Sequence, residues 1–262
     1  MRHRCTVLVS LVAAALACNS PDAAAPEVCP ASSGAPAAAP APAHAPFQIL
    51  VFSRTTGYRH ASIATGITAI EVLGAFNDFT VEATEDPAAF NDTNLARFAA
   101  AVFLSTTGEI LDESQQAAFE RYIRAGHGFV GVHSASDTEY GWPWYHALLG
   151  ATFASHPAIQ PATVIVVDPG QPSTRALPNP WERTDEWYNF TAQPADVTVL
   201  ARVDEASYTG GTMGALHPIS WQHVYEGGRA WYTAMGHTAC SYSERAFLDQ
   251  LLGGIEWAVG IP

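Results

Sequence analysis

From Phe47 onward the chain alternates short apolar runs with longer segments whose apolar residues recur at helical spacing. Phe47-Gln-Ile-Leu-Val-Phe52 is too short for a helix and is closed by the polar Ser-Arg-Thr-Thr-Gly, which predicts a buried strand followed by a loop. Ile63, Ile67, Ile70 and Leu73 stand three or four apart and predict a helix over 63–73, with Ser62 placed to cap it. Phe79–Ala83 and Ala99–Leu104 predict two more strands, the second closed by Ser105-Thr-Thr-Gly108. A helix capped by Asp112 or Ser114 should run to Arg124 and bury Phe119, Tyr122 and Ile123. Gly126-His-Gly128 ends it, and Phe129–Val132 is again a buried strand. Thr163–Val167, Val197–Val203 and Arg229–Ala234 extend the sheet, and a last helix covers about Ser243 to Ala258. Strands alternating with amphipathic helices predict a single α/β domain around a mostly parallel sheet flanked by helices. In such a sheet the ligand crevice lies beyond the carboxyl ends of the strands, so loops 53–60, 105–109 and 133–146 are the places to search.

The first 46 residues follow another logic. Arg2 and Arg4 precede the short apolar run Val7–Leu16, so residues 1–18 read as an export signal, too short for a permanent membrane span. Ala15-Leu-Ala-Cys18 resembles a bacterial lipobox, although Ala15 stands where leucine is more usual; Cys18 would then carry the lipid. Residues 19–46 are rich in Ala and Pro and form a tether, which leaves 47–262 as the folded domain. The expected location is therefore the bacterial cell envelope by lipid anchor, or otherwise the periplasm or exterior. Cys29 in the tether and Cys240 in the body would be free to pair in an oxidising compartment.

Charge and composition then exclude whole classes. A formal net charge of −13 argues against nucleic acid as a partner. All 12 basic residues are arginine, which removes Schiff-base, pyridoxal-phosphate and P-loop chemistry. Among the 4 cysteines no CxxC pair exists, which removes zinc ribbons and thioredoxin-type redox sites.

What remains is histidine, carboxylate and aromatic chemistry. Gly126-His-Gly-Phe-Val-Gly-Val-His133-Ser-Ala-Ser-Asp137 reads as a strand ending in a small-residue turn, which would hold His133 exposed above the sheet with Asp137 nearby. An imidazole there suits general acid or base work, though it could equally donate to a backbone carbonyl. Further candidates are Arg59 and His60 after the first strand, Trp144, Tyr145 and His156 after the elbow, and Asp185, Glu186 and Trp187. His217, Arg229 and His237 close the set. Aromatic rings beside carboxylates and arginine are what saccharide sites use, although each tryptophan taken singly is more often core. No HExxH-like pair is present; a divalent metal such as zinc would need spatial convergence of His133, His156, His217 and His237.

These residues resemble the ThuA-like (trehalose utilisation) family. The markers are Gly57-Tyr-Arg-His60, the segment ending in His133-Ser-Ala, Trp144-Tyr145, Gly150…Phe153…His156, Asp185-Glu-Trp-Tyr188, His217-Pro…Trp221 and Gly228-Arg-Ala-Trp-Tyr-Thr-Ala-Met-Gly-His237. The resemblance implies a flavodoxin-like fold of the class I glutamine amidotransferase type. On that comparison His133 takes the place of the elbow cysteine and His237 that of its histidine partner, so thiolate chemistry is unavailable. The implied partner is a small saccharide, a disaccharide or an oxidised 3-keto sugar. His133 and His237 would act as bases, Asp137 and Glu186 would orient them or serve as acids, and the remaining candidates would bind substrate. A carbohydrate-binding lipoprotein without turnover is the alternative.

Overall fold

A computed structural model describes Cys29 and residues 44–262, so the expected signal peptide and most of the tether lie outside the described residues. In chain order the elements are β1 (Phe47–Phe52), α1 (Ile63–Phe76), β2 (Phe79–Thr84), α2 (Asp92–Leu95), β3 (Ala100–Leu104), α3 (Glu113–Arg124), β4 (Gly128–Val132), α4 (Pro143–Leu149) and β5 (Phe153–Ser155). There follow β6 (Gln160–Val166), β7 (Trp181–Asp185), β8 (Asn189–Phe190), β9 (Thr198–Val203), β10 (His217–Tyr225), β11 (Gly228–Thr233) and α5 (Arg245–Ala258).

The sheet has nine strands in the order β2-β1-β3-β4-β11-β10-β9-β6-β7. From β2 to β11 every pairing is parallel, and from β11 outward every pairing is antiparallel. The parallel part has the flavodoxin-like 2-1-3-4-5 order, whose switch point lies between β1 and β3. Its inner strands β1, β3 and β4 are apolar because both faces are covered: Ile49 to Phe52, Ala100 to Leu104 and Phe129, Val130 and Val132 are all fully buried. On one face Gly66 of α1 meets Leu104 and Gly254 of α5 meets Trp231; on the other, Phe119 of α3 and Tyr145 of α4 pack on Phe103 and Phe129. A Cβ at Gly254 would stand 2.5 Å from the Trp231 ring, so glycine is what lets α5 lie this close.

The helix starts show two outcomes. Asp112 caps α3 with a full capping box, its carboxylate accepting from the Ser114 and Gln115 amides while Gln115 reaches back. Ser62 stands at the start of α1 but makes no cap bond; its hydroxyl faces the Gly236 carbonyl at 3.5 Å.

In the antiparallel extension β6 and β9 fall where Thr163–Val167 and Val197–Val203 predicted strands, whereas β7 and β10 depart from the expected pattern. β10 carries His217, Pro218, Gln222 and His223, and β7 buries Arg183 and Asp185 while exposing Glu182 and Thr184, so neither reads as an apolar strand. β10 and β11 form a hairpin in which Glu226 and Gly227 both have positive φ, 45° and 100°, the geometry of a two-residue primed turn. Cys29 is disulfide-bonded to Cys240, which ties the segment before the domain to the turn that follows His237.

Candidate functional site

Four strand ends build the site. β1 leads into the loop carrying Tyr58 and His60, β4 ends at His133, β7 at Asp185-Glu186, and β11 leads to Gly236-His237. His133 is held at φ 52°, the left-handed conformation of an elbow, and Gly236 has φ 108°. A Cβ at Gly236 would press on Phe247 and Tyr242 at 3.0 Å each. Asp185 then locks two of these ends together. Fully buried, it accepts from the amides of Gly236 (2.9 Å), His237 (3.1 Å) and Glu186 (2.9 Å) and pairs with Arg183 at 3.0 Å. Glu186 and His237 are thereby fixed side by side.

Three imidazoles meet there nearly at right angles, with centroids 4.7 to 5.0 Å apart. His133 Nε2 lies 3.1 Å from His60 Nε2 and 3.1 Å from His237 Nδ1. Glu186 Oε2 lies 3.0 Å from His237 Nδ1 and 3.5 Å from His133 Nε2, while its other oxygen is 3.0 Å from His156 Nδ1. On the far sides, His133 Nδ1 donates to the Ala234 carbonyl at 2.7 Å and His60 Nδ1 faces the Ser134 hydroxyl at 3.3 Å. Donor atoms of His60, His133, Glu186 and His237 all lie within 4.8 Å of one another, so these residues could hold a metal ion.

The electrostatics follow from this crowding. Burial first, then the neighbouring His133 and His237, push the His60 pKa down to about 2, so that ring is neutral. Burial pushes the Glu186 carboxyl up, but hydrogen bonds and charge from His133 and His237 outweigh it and hold the group well below the usual carboxylate range. Burial raises the Asp137 carboxyl, and a 2.5 Å hydrogen bond from the Tyr140 hydroxyl offsets part of that.

A crevice of about 380 Å³ opens above the cluster, lined by Tyr58, His60, Asp137, Phe153, His156, Ile159, Glu186, Tyr188 and His237. Of the expected residues, His60, Asp137, His156, Glu186 and His237 are together on it. His133 is the floor: it is fully buried rather than exposed, because Tyr188 lies over its ring at 4.3 Å and the other two imidazoles close the remaining side.

Others lie elsewhere. Arg59 points into solvent and pairs with Glu85 at 2.6 Å. Trp144 donates to Glu226 at 2.7 Å under the β10–β11 hairpin. Tyr145 is core, its hydroxyl holding the Ala135 carbonyl at 2.8 Å, and Trp187 is core, donating to Gln160. Asp185 is the buried clamp described above. Arg229 pairs in register with Gly128 at the start of β4, the opposite end of the sheet, with its guanidinium over Trp257. His217 is buried between Glu205, Tyr208 and the Tyr188 carbonyl, so the metal quartet that included His156 and His217 is replaced by one with His60 and Glu186. The aromatic walls Tyr58, Phe153 and Tyr188 stood among the family markers but not among the candidate site residues, although each lies within three residues of one.

Solved structures give the wider setting. A ThuA-like protein from Bacteroides uniformis superposes with TM-score 0.71 at 25% identity, covering 86% of this chain and 95% of that one. A second, from Parabacteroides merdae, gives 0.67 at 18%, covering 82% and 90%. A β-galactosidase from Rahnella sp. R3 shares the fold over 32% of its length, at TM-score 0.51 and 14% identity. No curated protein matches the chain. Residues 48–258 match the profile described as trehalose utilisation, and the chain therefore belongs to the ThuA family.

Proposed function

We propose that the chain processes a saccharide, a disaccharide or its 3-keto derivative, by acid/base chemistry at the histidine crevice. One observation carries the reading: His60, neutral and packed against His133 and His237, a low-pKa Glu186 and a raised-pKa Asp137 meet at one aromatic-walled crevice of about 380 Å³. Groups whose environments drive their protonation apart are how a site divides acid from base. Tyr58, Phe153 and Tyr188 offer flat faces to the C–H side of a sugar ring.

In a 3-keto sugar the carbonyl acidifies the hydrogen at C2. Asp137 takes that proton, the C1=C2 bond forms and the C1–O glycosidic bond breaks. The departing oxygen receives a proton from the cluster through His237, which Glu186 orients.

Export and lipidation at Cys18 belong to the same proposal. The Cys29–Cys240 disulfide supports an oxidising compartment for the domain. The direct test is purified protein incubated with trehalose, other disaccharides and their 3-keto derivatives, with products identified by mass spectrometry. Cleavage of a 3-keto disaccharide that fails in Asp137→Asn is the expected result. Saturable binding with no product from any of these sugars would instead make this a carbohydrate-binding lipoprotein.

A further inference from the structure

The cluster aims four donor atoms at one point. His133 Nδ1 faces only the Ala234 carbonyl, an acceptor, so its proton is there and Nε2 keeps its lone pair. That single lone pair is faced by His60 Nε2 at 3.1 Å, His237 Nδ1 at 3.1 Å and Glu186 Oε2 at 3.5 Å. One lone pair accepts one hydrogen bond, and a carboxylate oxygen brings no proton of its own. An extra proton would relieve one contact; a cation at the centre relieves all of them at once.

We propose that His60, His133, Glu186 and His237 bind one divalent transition-metal cation of the zinc class. Four donors about 2.0–2.1 Å from a tetrahedral zinc stand about 3.3 Å apart; four of the six pairs, at 3.0, 3.1, 3.1 and 3.5 Å, bracket that edge, and the whole set lies within 4.8 Å, so His60 would close slightly toward Glu186 and His237 on binding. Imidazole and carboxylate donors without thiolate suit zinc and its first-row neighbours better than calcium or magnesium.

The outer partners fit as well. A ligating histidine normally donates its second nitrogen to a carbonyl or another acceptor, as His133 does to Ala234 and as His60 is placed to do to Ser134. His156 holds the other oxygen of Glu186 at 3.0 Å. Because His60, Glu186 and His237 line the crevice, expansion from four to five ligands would turn a fifth coordination position toward the space where substrate would sit. With an ion seated His237 would serve as a ligand, and the ion would supply Lewis-acid polarisation of a substrate oxygen.

The inference goes beyond the saccharide reading and is tested without a sugar. Purified full chain is assayed for metal by mass spectrometry, stripped by dialysis against a chelator, and titrated with Zn²⁺ alone by calorimetry and with Co²⁺ alone by visible absorption. One ion per chain and a tetrahedral or five-coordinate Co²⁺ spectrum are expected. Glu186→Gln and His237→Ala should each weaken Zn²⁺ binding by more than the ~10–100-fold typical of losing an outer partner. His156→Ala, which leaves all four donors in place, should weaken it by about 10-fold. Circular dichroism confirms that each variant is folded, and Glu186→Gln, nearly isosteric, carries the test if an alanine variant is not. A folded, stripped chain that takes up neither ion, or an affinity unchanged in Glu186→Gln, overturns the proposal and leaves the saccharide reading to its own assay.

Discussion

Two glutamates in this molecule face a buried histidine, and the two arrangements differ in what the second ring nitrogen meets. His217 has Glu205 at 2.8 Å and the Tyr208 hydroxyl at 3.1 Å on Nδ1, and the Tyr188 carbonyl at 2.8 Å on Nε2. Glu205 also accepts from the Met213 and Gly214 amides, so the pair ties the loop before β10 to the end of β7. Every nitrogen there has an oxygen partner, and nothing is left over for a ligand. Around Glu186 the nitrogens face one another across 3.1 Å, so the donor atoms of three imidazoles and a carboxylate converge on one point. Burial, a glutamate partner and a strand end are common to both places. The sites part on whether the polar groups satisfy one another or converge on an empty point.

Substitution should separate the two most sharply in the cluster. His237→Ala or Glu186→Gln is expected to lower turnover by about 10²–10⁴-fold, measured as kcat on whichever sugar is processed, with the fold retained. His133→Ala should lose turnover equally but also lose stability, because the ring is fully buried and its bond to Ala234 goes with it. At the other histidine the order reverses. His217→Ala leaves Glu205 and the Tyr188 carbonyl without their partner and should cost about 2–4 kcal/mol in denaturant unfolding, while kcat per folded molecule is unchanged. Equal kinetic losses in the two places would erase the distinction.

Asp185 tests how the cluster is held. Asn at this position keeps one accepting oxygen but turns an amide N–H₂ toward a backbone donor of Gly236, His237 or Glu186. Asp185→Asn should therefore cost about 1–3 kcal/mol of stability. It should also lower kcat while leaving KM little changed, since it touches no crevice surface but shifts two residues that do.

The parallel half of the fold was legible because its strands are buried on both faces and read as unbroken apolar runs, as in Phe47–Phe52 and Ala100–Leu104. Parallel strands aim their carboxyl ends one way, and that is why histidines distant in sequence, His60, His133 and His237, could be expected near a common crevice. In the antiparallel half β6 and β9 were legible as Thr163–Val167 and Val197–Val203, but β7 and β10 lay under function-like residues: β7 buries a charged pair, Arg183 and Asp185, that a hydrophobic pattern assigns to a loop. The hairpin turn at Glu226-Gly227, between Tyr225 and Gly228, was not read from the sequence. Neighbourhood in sequence also misled over side chains. Trp187 follows Glu186 but goes to the core, because successive residues leaving a strand point to opposite sides.

Arg59 gives the smallest expected effect and the finest test of that last point. It adjoins His60, and a guanidinium beside a histidine in a strand-end loop reads as a substrate clamp. The structure turns it outward to Glu85, with both side chains about half exposed, at 52% and 49%. An ion pair so exposed contributes roughly 0–1 kcal/mol, because water and salt screen it and two long side chains must be ordered to form it. Arg59→Ala should therefore shift the unfolding midpoint by little, and that little should vanish in high salt. Turnover should stay within about twofold, since the lost side chain contributes no surface to the crevice. A large rise in KM with kcat preserved would mean that Arg59 swings from Glu85 onto the bound sugar. The crevice would then extend past Tyr58, and the boundary between site and surface would have to be redrawn on the β1 side.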